Sequence, residues 1–140
     1  MEIITEKEAL KYGISAVHHI MENDEKRFRL VSEAGSSYVL TMTSDKPSWQ
    51  RSHYHVQKKE FYVVEKGSVL LALWSRKDSL KILKLNENDW YFVPEGVAHN
   101  LYTSPESVFH TIKYGTEDED WNACPELEEL LKKVNVSEYL

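Results

Sequence analysis

The sequence predicts an all-β fold, a sandwich or a barrel, with a short helix near each end. Between residues 26 and 114 the chain is a series of short segments rich in Val, Leu, Tyr and Phe. Turn residues separate these segments at close spacing, which favours antiparallel strands over βαβ units. With 140 residues, 41% of them hydrophobic, the chain fits a single domain over residues 1–140 with one core.

A short N-terminal helix is predicted over residues 5–12. Thr5 and Glu8 have the spacing of a capping box, in which each side chain accepts a hydrogen bond from the other residue's backbone N–H. Gly13 follows, and glycine commonly ends a helix because it adopts a left-handed backbone conformation without strain.

The predicted strands are separated by recognisable turns. Lys66-Gly67 predicts a tight turn between two strands, and the polar run 86–89 predicts another. A strand around residues 49–55 carries alternate residues to one face, namely Trp49, Arg51, His53 and His55. The remaining predicted strands are 26–32, 36–43, 60–65, 68–75, 81–85, 90–93, 99–103 and 108–114.

A C-terminal amphipathic helix is predicted over residues 125–133. Pro125 suits its first turn, and the order of acidic residues first and lysines last matches the helix dipole. We expect its apolar face to pack on the barrel or on a partner subunit; this face consists of Leu127, Leu130 and Leu131.

Charge and targeting signals limit the partners and the compartment. A net charge of −6 and a pI of about 5.5 disfavour nucleic acid and anionic membranes as partners. The first residues lack the basic and apolar regions of a signal peptide, and no apolar run approaches the ~20 residues of a membrane helix. Cys124 is the only cysteine, so no internal disulfide forms, and we expect a cytoplasmic protein.

Four possible metal ligands fall in two short stretches of the sequence. His53, His55 and Glu60 lie within eight residues, and strand geometry directs them to one face. His99 follows the turn sequence Pro94-Glu95-Gly96, which returns the chain beside them. Imidazole nitrogens and a carboxylate oxygen at one point form the mixed ligand set that divalent transition metals prefer.

These two stretches resemble the paired motifs of the cupin superfamily. The run from His53 to Gly67 has the spacing of the first motif: His-x-His, four residues, Glu, six residues, Gly. The second motif is similar around His99, but Asn88 stands where the family has a turn glycine and Thr103 where it has asparagine. Asparagine tolerates the left-handed conformation, so the first change is mild. The resemblance covers residues 50–103 and fills every ligand position.

The resemblance implies a small conical β-barrel of two antiparallel sheets, also called a double-stranded β-helix or jelly roll. It also implies one divalent transition metal (Mn, Fe, Ni, Co or Zn) with two positions left for water or substrate. The implied ligands are His53, His55, Glu60 and His99. A homodimer is implied as well, and the alternative is a monomer whose termini pack on their own barrel.

The favoured function is that of a metal-dependent enzyme acting on a small polar molecule. Short similarities to cupins among sugar-phosphate isomerases and polysaccharide-biosynthesis enzymes favour an isomerase or epimerase of a sugar, sugar phosphate or nucleotide sugar. The segment 112–121 is similar to the acidic segment that closes the barrel of type II mannose-6-phosphate isomerases. Because a cupin barrel hosts many reactions, two alternatives stay open: an Fe-dependent dioxygenase and a non-enzymatic metal- or ligand-binding barrel.

Further residues are candidates for contact with the substrate. Glu60 and Tyr62 share one face of a strand and are the candidate catalytic residues for proton transfer. Arg51 and Lys113 are candidates for holding a phosphate or carboxylate, and His110 for a contact from a neighbouring strand. Barrel packing explains Tyr62 equally well, and ordinary solvent exposure explains the two cations.

Overall fold

The computed structural model describes residues 3–140, which contain two α-helices and twelve strands. In chain order the elements are α1 (Glu6–Leu10), β1 (Ile14–Ile20), β2 (Lys26–Ser32), β3 (Ser37–Met42), β4 (Ser48–Trp49), β5 (His53–Tyr54), β6 (Lys59–Lys66), β7 (Ser68–Ser75), β8 (Asp78–Asn86), β9 (Trp90–Val93), β10 (Ala98–Thr103), β11 (Val108–Tyr114), β12 (Asn122–Ala123), α2 (Pro125–Leu131) and a 3-10 helix (Val136–Glu138). The capping box of α1 is present, with the Glu8 backbone N–H donating to Thr5 Oγ1 at 3.2 Å.

The strands form two antiparallel sheets that face each other. The first has the order β1-β2-β3-β11-β6-β9, and the second has the order β12-β5-β10-β7-β8 with β4 paired to β10. Strands distant in sequence therefore lie side by side, as β3 beside β11 and β5 beside β10. This is the all-β architecture that the sequence predicts.

The hydrophobic core lies between the two sheets. Tyr62, Val64 and Phe109 contribute from the first sheet, and Leu71 and Leu101 from the second. Each of these side chains is at most 4% exposed, and burial of one such side chain stabilises the fold by roughly 1.5–3 kcal/mol. The cluster holds the two sheets together beside the space that the predicted ligands occupy.

Helix α2 packs on the outer face of the second sheet. Leu127 and Leu131 are buried against Ala72 and Ala98 of that sheet. The helix was expected to pack on the barrel or on a partner subunit, and in the structure it packs on the barrel of its own chain. Leu130 stays partly exposed. Within residues 3–140, every helix is too short or too polar to cross a membrane.

The single strand predicted around residues 49–55 is two short strands separated by a bulge. Trp49 pairs with Tyr102, whereas His53 pairs with His99. Trp49 and His53 are four residues apart, whereas their partners Tyr102 and His99 are three apart. The segment 49–53 therefore contains one extra residue, which reverses the face to which the following side chains point. Trp49 packs edge-on against Tyr102, with ring centroids 5.5 Å apart, and it does not share the face of His53 as expected.

Strand β1 was not predicted from the sequence. It is an edge strand that pairs only with β2 in the first sheet. Its buried residue is Ala16, while Val17 and Ile20 are exposed. Such a strand lacks the regular alternation of apolar and polar residues on which prediction of a half-buried strand depends.

Two predicted turns have the left-handed backbone they require. Asn88 has φ 73°, and its N–H donates to the carbonyl of Val64 at 2.8 Å. Gly67 has φ 75°, and a Cβ atom there would lie 2.4 Å from Ser107 Oγ. Asparagine therefore serves in place of the turn glycine at position 88, whereas position 67 requires glycine.

Candidate metal centre

The structure brings all four predicted ligands together between the two sheets. His53 on β5 pairs in register with His99 on β10 in the second sheet. Glu60 lies on β6 in the first sheet, and His55 lies in the loop between β5 and β6. One possible ligand atom from each of the four lies within 4.8 Å of the others. The cluster therefore draws its side chains from both sheets and from the loop that connects them.

Glu60 is the central residue of the cluster and is fully buried. Its Oε1 lies 2.7 Å from His55 Nε2 and 3.5 Å from His53 Nε2, and its Oε2 lies 2.9 Å from His99 Nε2. Burial raises the pKa of this carboxyl group, but His99, Lys113 and the histidine hydrogen bonds outweigh it and hold the pKa of Glu60 well below its usual value. Glu60 is therefore an ionised carboxylate.

Each imidazole is oriented by a hydrogen bond from Nδ1 to a backbone carbonyl. Because a carbonyl only accepts, Nδ1 carries a proton, so in the neutral form of each ring the lone pair of Nε2 points into the cluster. The same arrangement recurs at all three rings: His53 donates to Arg51 (2.9 Å), His99 to Val97 (2.9 Å) and His55 to Asp120.

This donor set fits a divalent transition metal. The Nε2 lone pairs face an ionised carboxylate, so protons or a cation must separate them. Protonating every ring would crowd positive charge into one site, and burial lowers the pKa of His53 despite its contact with Glu60. Two ligand atoms that each lie about 2.1 Å from one ion are at most about 4.2 Å apart. The four candidate ligand atoms lie within 4.8 Å of one another, which is close to that separation. Three imidazoles and one carboxylate suit Mn, Fe, Co, Ni or Zn.

A glycine turn fixes the second stretch of ligands against the first. Gly96 has φ 79°, and its N–H donates to the carbonyl of His55 at 2.6 Å. Strand β10 begins two residues later and carries His99 inward. The Pro-x-Gly turn thereby returns the chain beside the first ligands, as the sequence predicts.

Structural comparison relates this architecture to solved proteins. Oxalate decarboxylase from Bacillus subtilis superposes with a TM-score of 0.63 at 14% sequence identity, over 88% of this chain and 36% of that one. KdgF from Halomonas sp. superposes with a TM-score of 0.58 at 13% identity, over 74% of this chain and 87% of that one. Both proteins are cupins. The chain has the cupin fold.

The relationship of this chain to known proteins lies in its fold. No family model and no curated protein sequence matches the chain. The chain spans little more than a third of oxalate decarboxylase, 36% of its length. Because one fold serves many reactions, the function of this chain must be argued from its own site.

Beside the metal centre the cupin barrel contains a cavity of about 1110 Å³. Lys113 lies on the cavity wall, beside Phe109 and Thr111 of the same strand. Its Nζ is 3.4 Å from Glu60 Oε1. Lys113 therefore compensates the charge of Glu60 as well as facing the space where a substrate fits.

Tyr62 lies next to Glu60 on the inner face of β6. Its hydroxyl donates a hydrogen bond to Glu60 Oε2, and its side chain is only 4% exposed. Burial, followed by the negative charge of Glu60, raises the pKa of Tyr62 well above its usual value. The phenol of Tyr62 therefore keeps its proton at neutral pH.

The two other predicted substrate contacts have different positions. Arg51 is exposed and lines the rim of the cupin cavity. His110 lies on the opposite face of β11 from Lys113, where its Nδ1 is 2.6 Å from Tyr38 Oη and its Nε2 is 3.3 Å from Glu65 Oε1. Because residues alternate along a strand, the structure does not bring His110 to the cavity.

Asp120 and Trp121 also shape the site, although the sequence-based candidates did not include them. The Asp120 carboxylate accepts hydrogen bonds from the backbone N–H groups of residues 56–58 at 2.8, 2.6 and 2.8 Å. Burial raises the pKa of Asp120, but these donors outweigh it and lower that pKa to about 2. The Trp121 ring covers His53. Both residues lie in the segment 112–121, whose similarity to a barrel-closing segment was the available signal.

Proposed function

We propose that this cupin is a metal-dependent isomerase or epimerase acting on a sugar, a sugar phosphate or a nucleotide sugar. The observation that carries the proposal is the contact between Tyr62 and Glu60, in which a buried phenol donates to a carboxylate that lies among three imidazoles. A protonated phenol beside a metal-binding carboxylate, in a cavity of about 1110 Å³, suits proton transfer on a polar molecule of sugar size.

The chemistry assigned to this site is redox-neutral. An aldose–ketose isomerisation moves one proton between neighbouring carbon atoms and one between their oxygens, whereas an epimerisation removes and returns a proton at a single carbon. Neither reaction needs an oxidant or a reductant. A bound divalent ion would supply Lewis-acid polarisation of a substrate oxygen. Because the pKa of Glu60 is low and that of Tyr62 is high, we assign Glu60 as the group that takes a proton from the substrate carbon and Tyr62 Oη as the group that donates one to the substrate. The hydrogen bond between them returns the proton from Glu60 to Tyr62. The ammonium group of Lys113 partly neutralises the negative charge of Glu60 that faces the substrate.

Metal analysis is the first test of the proposal. Mass spectrometry of protein purified without a metal-affinity tag should find near-stoichiometric metal, and the double variant His53→Ala/His99→Ala should lose it. His110→Ala is the matched control, because this imidazole lies on the outer face of the sheet, and it should keep the metal. If no sample binds metal, even after incubation with metal salts, the proposal is rejected.

Proton transfer is tested with hexose 6-phosphates in D2O. We expect deuterium to enter the substrate at the carbon next to the carbonyl, and we expect Tyr62→Phe to lose this exchange while keeping its metal.

The alternative of an Fe-dependent dioxygenase predicts bound Fe and oxygen uptake instead. The similar oxalate decarboxylase from Bacillus subtilis is described as having Mn(II) centres. This description does not favour an Fe-dependent dioxygenase over an isomerase. Bound metal without any turnover would leave a ligand-binding barrel.

We also propose that the protein is a homodimer that pairs through the outer face of its first sheet. Trp90, Phe92 and Ile112 are 62%, 37% and 44% exposed on this face. Phe61 stacks on Trp90 with ring centroids 5.2 Å apart, which extends the apolar surface. Contiguous exposed apolar surface of this kind is typical of a protein–protein interface, and a second copy of the chain is the proposed occupant.

We retain the cytoplasm as the proposed compartment. The lone cysteine supports it, since Cys124 is a free thiol and the chain offers no second cysteine to pair with it. A reducing compartment suits such a chain. Fractionation of cells that express the protein checks this proposal, and recovery outside the cytoplasm would contradict it.

A further inference from the structure

Arg29 is a cation in the cavity that lacks a partner within the protein. It lies on β2 and lines the same cavity as the metal centre, and its side chain is partly buried. Among residues 3–140, its guanidinium takes part in no ion pair and no side-chain hydrogen bond, whereas Arg27 two positions earlier donates from Nε to Glu25 Oε1 at 2.8 Å. A guanidinium removed in part from water and left without an acceptor is costly unless a ligand supplies one.

The position of Arg29 follows from the strand registers. Arg29 pairs with Val39, Val39 with Thr111, and Thr111 with Tyr62. One inward-facing row therefore crosses four strands from Arg29 to the phenol that contacts Glu60. At about 4.8 Å per strand, its two ends are about 14 Å apart along the sheet.

The residues between the two ends of this row leave room for a ligand. Val39 and Thr111 are small and buried, so neither blocks the space above the sheet. Arg29 and Tyr62 both extend from the wall into the cavity. A molecule of sugar size that reaches the metal centre at one end can therefore reach Arg29 at the other.

The other charges of the cavity are largely accounted for inside the protein. Glu25 accepts from Arg27, Glu60 faces Lys113, and Asp120 accepts from backbone N–H groups. Glu22 and Glu119, which also line this cavity, are exposed to solvent. A second cation, Lys58, lines the same wall and donates from Nζ to the carbonyl of Gly35 at 3.2 Å. Burial and the charge of Arg27 lower the pKa of Arg29, as expected for a cation without a counter-charge.

We propose that Arg29 binds an anionic group of the substrate, a carboxylate or a phosphate, at the end of the cavity opposite the metal centre. The inference rests on the proposed function and narrows its substrate class to acidic sugars and sugar phosphates. The planar guanidinium has two parallel N–H donors that match two oxygens of either group. The sequence offered two other cations for this role. Arg51 is exposed at the rim of the cavity, and Lys113 is paired with Glu60.

Three probes of one carbon skeleton test this proposal: glucose, gluconate and glucose 6-phosphate. Isothermal titration calorimetry on metal-loaded protein should find tighter binding of at least one anionic probe than of glucose. Arg29→Gln should weaken binding of that probe about 10- to 100-fold and leave glucose unchanged. The stronger of the two anionic probes distinguishes a carboxylate site from a phosphate site. Arg76→Gln is the matched control, because this arginine is 87% exposed and does not line the cavity, and its affinities should be unchanged.

Arg29→Lys separates a binding role from a structural one. It keeps the charge but loses the fork of donors, so we expect intermediate affinity with unaltered metal content and melting temperature. Equal affinity of wild type and Arg29→Gln for the anionic probe would overturn the proposal, and so would a wild type that does not prefer an anion to glucose. Arg29-dependent binding without deuterium exchange would instead contradict only the isomerase function.

Discussion

The indole of Trp121 stacks on the imidazole of His53, with ring centroids 5.5 Å apart and an interplanar angle of 22°. The preceding residue, Asp120, holds His55 through its backbone carbonyl. Two neighbouring residues of one segment therefore contact two of the candidate metal ligands. Because outer contacts of this kind fix the direction of a ligand's lone pair, the segment before β12 is part of the candidate metal centre.

Removing the indole should weaken metal binding without removing a ligand. The His53 side chain is 12% exposed in the wild type. In Trp121→Ala it loses the covering indole and gains freedom to rotate. We expect the apparent Kd for the metal to rise about 10-fold, measured by competition with a chelator. Trp90→Ala removes an indole from the outer face of the first sheet and serves as control. An unchanged Kd in Trp121→Ala would show that the backbone hydrogen bond alone orients His53.

Asp120 predicts a stability difference that depends on pH. Its pKa is about 2 in the folded protein, below the usual 3.8, so the ionised carboxylate stabilises the fold. That contribution is complete above about pH 5 and is lost as the pH falls through 3.8 toward 2. Asp120→Asn should lower the free energy of unfolding of the metal-free protein by about 1–2 kcal/mol at pH 7.

Thermal unfolding of wild type and Asp120→Asn from pH 7 to pH 3 checks both the size and the sign of this effect. The two melting temperatures should differ by a constant amount down to about pH 5 and converge below it. A difference that grows with acidity would contradict the assignment of the low pKa to the three backbone donors.

Tyr62→Phe should destabilise the protein while leaving its metal site intact. The change leaves Glu60 Oε2 without its phenol donor in a buried position, which costs about 1–3 kcal/mol. Urea unfolding of the metal-free protein, at one protein concentration, measures that loss. Metal content should match the wild type, because the imidazoles and the carboxylate are unchanged; loss of metal would mean that Tyr62 is needed to position Glu60.

The convergence of the four candidate metal ligands could be predicted from the sequence because their spacing is local. His53, His55 and Glu60 lie within eight residues, on two consecutive strands and the loop between them, and the Pro-x-Gly turn at Gly96 returns His99 beside them. The inward direction of Lys113 likewise follows from alternation along one strand. Each of these predictions needs only the geometry of a single element and its turn.

Arg29 could not be placed by such reasoning. Its relation to Tyr62 depends on three successive strand pairings that join segments far apart in the chain. A single sequence does not specify these registers, and a one-residue slip would turn Arg29 outward. The bulge before His53 shows the same limit, since it separates the face of His53 from that of Trp49 within four residues.

The proposed dimer gives a final prediction on the outer face of the first sheet. Trp90 pairs in register with Val63 and stacks on Phe61, so Trp90→Glu places a charge inside the proposed apolar interface, where it lacks a partner. We expect light scattering to find a dimer for wild type and a monomer for this variant. Ser79→Glu adds the same charge on exposed β8 of the other sheet and should stay dimeric. A wild type that is monomeric at all concentrations would leave the apolar face to another partner.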